Sequence, residues 1–152
     1  MGKETIEDLV QFLLPYPTHV QDTAFALRGF IWDLYPEANE LIYDNYNALA
    51  FGLSLTDKAG DVFCSMAVFA NYVNFGFNRG SEIADPNKIL TGSGSLYRYI
   101  TVRNILDFPE AEIKLLLHDA YENALNRLKP GKYILKGQTI IKSISPVKKR
   151  PK

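Results

Sequence analysis

Residues 41–77 read LIYDNYNALAFGLSLTDKAGDVFCSMAVFANYVNFGF. Within them Leu41–Tyr46, Ala48–Leu55, Val62–Phe69 and Tyr72–Phe77 are runs of β-branched and aromatic residues, which suit a pleated, half-buried surface. The joins are short. Thr56 to Asp61 is a polar connection, and Asn71 sits in the short join between the next two runs. Strands joined so closely pair antiparallel, because a parallel pair needs a crossover of about a dozen residues. A fifth run, Leu96–Val102, follows a long irregular stretch from Asn78 to Ser95. The expectation is a mostly antiparallel sheet of about five strands.

The flanks are helical. Ile6, Leu9, Val10, Leu13 and Leu14 recur at helical spacing, and Pro15 and Pro17 end the run. Thr5 is placed to cap this helix. Thr18 with Gln21 three residues on reads as a capping box for a second helix, which Pro36 stops. That helix is expected to turn Val20, Thr23, Ala24, Leu27, Phe30, Ile31 and Leu34 inward. Pro109 opens a last helix, with Ile113, Leu116, Leu117, Ala120, Tyr121, Ala124 and Leu128 as its buried stripe, and Pro130-Gly131 closes it. Helices, then a meander of strands, then a helix make an α+β domain with one sheet face covered and the other partly open.

The chain has 152 residues, 47% hydrophobic and 12% aromatic, enough to build one core and little more. Its zero net charge conceals a division. Residues 1–131 hold all 17 acidic and 10 basic side chains, a net −7, while residues 132–152 hold seven basic and no acidic ones. This divides the chain into a single α+β domain over 1–131 and a basic extension over 132–152. Thr139 to Ile144 is apolar enough to add one strand. Lys148 to Lys152 have nothing to bury, and their charge has the body's acidic surface to lie on. A nucleic-acid partner is disfavoured by the acidic body and by the lack of any aromatic after Tyr133 to stack on bases. No apolar run is long enough to span a membrane. The single cysteine, Cys64, allows no internal disulfide, and acidic residues interrupt the opening apolar run. Both point to a reducing, cytoplasmic location.

No spacing nominates a nucleophile and its base, so a non-enzymatic binding protein is expected. The candidate ligand site is the face of loop 78–98. Gly92, Ser93, Gly94 and Ser95 offer backbone N–H groups to an anion, Arg98 a guanidinium fork, and Tyr46 and Tyr97 aromatic surface. Tyr97 and Tyr99 alternate onto one strand face and Arg98 onto the other. The loop is neither a P-loop nor a dinucleotide fingerprint. His118 with Glu122, and His19 with Asp22, each supply at most half of a metal site. Glu37, Glu40 and Asp44 cluster at a helix-to-strand junction and offer oxygen ligands to a hard or borderline cation such as iron. Cys64, among Phe63, Met66 and Val68, reads as a buried, inert thiol.

Three segments together carry a family likeness. Tyr35-Pro36-Glu37-Ala38-Asn39-Glu40 runs into the first strand. Val62 to Gly80 pairs two strands before a Gly-Phe stretch. Asp85-Pro86, Leu90-Thr91-Gly92-Ser93-Gly94 and Arg98-Tyr99-Ile100 follow in order. In these the chain, from about Asp8 to Arg127, resembles the YdhG-like family. It departs where Ser95 stands for a frequent lysine and Tyr99 for a frequent histidine. The resemblance implies no enzymatic activity. Because one branch is described as a frataxin-like iron chaperone, it implies iron as a cargo, with Glu37, Glu40 and Asp44 as its carboxylates. A third reading is a protein-interaction or self-association module, with the basic tail docking on an acidic surface.

Overall fold

The structure is a computed structural model and describes residues 6–150. It is an α+β fold with helices α1 (Glu7–Leu13), α2 (Thr18–Leu34) and α3 (Glu110–Arg127). The strands are β1 (Asn39–Asp44), β2 (Leu49–Ser54), β3 (Val62–Val68), β4 (Val73–Phe77), β5 (Arg98–Val102) and β6 (Thr139–Ile144). They form one sheet in the order β5-β4-β3-β2-β1-β6. The first five strands pair antiparallel, as their short joins predict. β6 comes from the basic extension and pairs parallel to β1, Leu41 facing Ile140. That parallel pairing is geometrically open to it because α3 supplies the long crossover.

Side-chain alternation sorts the sheet into two faces. Ile42, Leu49, Phe51, Leu53, Cys64, Met66, Val68, Val73, Phe75 and Phe77 are buried on one face, under α2 and α3. The other face carries small or polar residues along neighbouring strands: Ala50 and Gly52, Ser65 and Ala67, Asn74 and Gly76. Gly52 must lack a side chain, because a Cβ there would lie 2.3 Å from Cys64 O.

Helix α2 departs from its expected stripe. Arg28 and Trp32 are buried, whereas Leu34 is 38% exposed and Phe30 only half-buried. The cause is Glu40 on β1, which draws Arg28 inward and with it Trp32, one turn further on. The Trp32 indole N–H donates to Ala38 O. The capping box does not form. Pro17 occupies the cap position without a side-chain bond, and Gln21 Nε2 instead donates to Tyr16 O at 2.8 Å. Thr5 lies outside the described residues. Pro109 caps α3 as expected. Among the described residues no helix is long and apolar enough to cross a membrane.

Candidate functional site

The three carboxylates expected to hold a cation do not converge. Glu37 is exposed, with its carbonyl accepting from Gly137 N–H. Glu40 is 1% exposed and takes both Arg28 Nε and Arg28 Nη2, while Thr139 Oγ1 donates to it at 2.9 Å. Asp44 is fully buried and paired with Lys148 and Arg150. Glu40 and Asp44 are thus each paired with basic side chains. Among the described residues no cluster of three or more His, Cys, Asp or Glu side chains is arranged to hold one. His118 lies on an exposed surface 3.8 Å from Asp119. The tail residues expected to bury nothing include Arg150, only 9% exposed.

The loop 78–98 site separates into three places. Tyr46 lies at the β1–β2 turn. Asp44, Leu49, Val68, Val73 and Val102 form one row across the sheet at that end, whereas Arg98 pairs with Phe77 at the other end. Tyr46 and Arg98 therefore occupy opposite corners, about 19 Å apart in strand spacing alone. Arg98 is turned onto its own loop, Nη1 donating to Gly94 O and Tyr97 O at 2.7 Å each. Gly92, at φ +142°, packs against Arg98 and Tyr97 O. The loop thus presents two carbonyls to its own arginine. Ser93, Gly94 and Ser95 are exposed around this staple. Tyr97 and Tyr99 stack at 5.7 Å on the other side of the strand. The Tyr97 ring covers Gly76, where a Cβ would lie 2.3 Å from its hydroxyl. Burial, then the neighbouring Tyr99, pushes the Tyr97 hydroxyl pKa up to about 12.

A concave site of ligand size forms where the local sequence pattern gave no signal. The C-terminal end of α3 and the segment that follows it border a shallow, open groove of about 580 Å³, lined by Tyr121, Leu125, Leu128, Pro130, Tyr133 and Leu135. One lining residue, Tyr121, belongs to an aromatic cluster that continues behind the groove. Tyr121 stacks on Tyr35 at 4.6 Å, and Phe63 meets both edge-on. Burial raises the Tyr121 pKa, with the Glu37 and Glu122 charges adding to it. Asn39 holds the far side in place. Its Nδ2 donates to Thr56 O and Ile134 O, and its Oδ1 accepts from Lys136 N–H and Gln138 N–H. The groove is thus assembled by contacts across almost a hundred residues, and only the aromatic count hinted at it.

Comparison of the chain with family models, with curated proteins and with solved structures finds no match.

Proposed function

We propose that the chain is a small-ligand binding protein whose ligand is a compact molecule with an apolar or aromatic ring, seated in the groove between α3 and residues 128–135. The groove carries this reading. Its volume of about 580 Å³ falls within the range of small-molecule sites, roughly 300–1,000 Å³, and Tyr121, Asn126 and Tyr133 line it together with Leu125, Leu128 and Leu135. Tyr133, which lines the groove and is 47% exposed, offers a ring for a bound aromatic to stack on. A thermal-shift screen of aromatic fragments tests it, since a ligand that binds only the folded chain raises the melting temperature. Hits are expected that disappear in Tyr133→Ala and Leu128→Ala and persist in Arg98→Ala. Hits abolished by Arg98→Ala alone would return the site to loop 78–98.

A second seat, on the open sheet face, is favoured by the Tyr97–Tyr99 stack beside the Asn74 and Thr101 side chains. Tyr99→Ala in the same screen separates the two. Iron carriage, which the YdhG-like resemblance implies, draws no support from the arrangement of Glu37, Glu40 and Asp44.

A further inference from the structure

Residues 145–150 run back across the β1–β2 turn as a strap. Ser145 N–H donates to Asp44 O at 2.7 Å, and Lys149 N–H to Tyr46 O at 2.8 Å. Between these backbone bonds the flanking side chains converge on Asp44. Lys148 Nζ reaches Oδ2 at 2.7 Å, and Arg150 Nη2 takes Oδ1. Arg150 Nη1 also donates to Asn45 O, and the Lys148 ammonium stands 5.7 Å from the centre of the Phe12 ring. Asp44 is fully buried, and a carboxylate at that depth is unfavourable unless cations accompany it. Both of its cations come from the strap. The notch therefore reads two basic side chains separated by one residue. The buried charge is shared between them, an aromatic face lies beside the first, and a backbone acceptor serves the second.

The guanidinium of the strap also lies against Tyr16, a side chain 3% exposed, whose pKa burial raises while the Arg150 charge and its hydrogen bond to Arg150 act to lower it. We propose that the Asp44 notch is a docking site for basic peptide segments with Lys-x-Arg spacing, and that residues 148–150 of this chain are its resident competitor. Charge complementarity selects the occupant, because the notch offers a carboxylate and carbonyls and no cation of its own besides those of the strap. A segment from another protein enters when the strap leaves, so the intact chain is the weaker binder. None of these residues lines the α3 groove, so failure here leaves the small-ligand reading untouched.

The test uses a fluorescent peptide of residues 145–152 and two proteins, a chain ending at Ser145 and the full chain carrying Lys148→Ala with Arg150→Ala. Both are expected to bind the peptide at least about tenfold more tightly than the intact chain, and to gain melting temperature from it. Asp44→Asn on either background is expected to remove the binding, as is alanine at both basic positions of the peptide. Equal affinity for intact and altered chains would overturn the proposal. So would no binding by folded variants, or unfolding of both variants that saturating peptide does not reverse.

Discussion

Arg28 Nε and Nη2 donate to the two carboxylate oxygens of Glu40 at 2.8 and 3.0 Å, joining α2 to β1 where neither side chain is more than 3% exposed. Removing the Glu40 carboxylate takes both of these charge-assisted bonds away from a guanidinium held at that depth. Glu40→Gln is therefore expected to destabilise the fold by about 3–5 kcal/mol, read as a lower midpoint in urea. The double change Arg28→Met with Glu40→Leu is expected to recover most of the loss, since it removes both charges of the pair. If Glu40→Gln unfolds at the parent's midpoint, the pair does not hold α2 to the sheet.

Asn39 spends one Nδ2 bond and its Oδ1 on residues 134–138, the chain that borders the groove, and its other Nδ2 bond on Thr56 O. Asn39→Ala leaves the Ile134 carbonyl and the Lys136 N–H without their side-chain partner. The expected cost is about 2–3 kcal/mol, with faster amide exchange concentrated in residues 134–138. Uniform destabilisation without that local signature would mean that Asn39 does not anchor the segment.

Alkaline stability follows from buried acids. Burial pushes the Cys64 thiol from its usual 9.0 to about 12, and the Tyr35 hydroxyl from 10.0 to about 12. Both groups hold their protons more tightly folded than unfolded. The stability they protect is whole below pH 9 and is lost as pH rises toward 12. Just above pH 9 Cys64 contributes at most about 1.4 kcal/mol per pH unit to this slope, and the tyrosines whose pKa burial raises, Tyr35 and Tyr97 among them, add to it as pH nears 10. Cys64→Ala should flatten the stability curve between pH 9 and 10. An unchanged slope in that window would show that the thiol titrates at its ordinary value in the folded chain.

Two glycines on the open sheet face should respond differently to alanine. At Gly52 the added Cβ would meet the backbone of Cys64 and Ser65, at 2.3 and 2.8 Å, with nothing free to swing aside. Gly52→Ala is expected to cost about 2–3 kcal/mol through shifted strands. At Gly76 the obstacle is the outer part of the Tyr97 ring. Gly76→Ala is expected to displace that ring at a smaller cost and to break the Tyr97–Tyr99 stack, seen as a drop in the Tyr97 hydroxyl pKa. A greater loss at Gly76 than at Gly52 would contradict the packing.

The strands of the meander and the helix ends were legible because their signals are local. Aromatic and β-branched runs, and prolines at positions 15, 17, 36 and 109, act within a turn or a strand of themselves. Cys64 was legible as an inert thiol for the same reason. The candidate site was not. Glu37, Glu40 and Asp44 look like a surface cluster when their neighbours in sequence are the only neighbours considered. Arg98 looks free until its loop folds back to offer Gly94 O and Tyr97 O.

By itself the sequence determined the α+β class, the antiparallel order of β1 to β5 and the separation of an acidic body from a basic extension. Only the tertiary structure decided what that extension does. β6 docks parallel to β1, Asn39 pins residues 134–138, and Lys148 and Arg150 settle on Asp44 more than a hundred residues away. A buried carboxylate and a distant cation choose each other by desolvation and charge once the sheet has brought them together. No period or cap in the sequence records that choice, because it depends on the closed chain and not on any stretch of it.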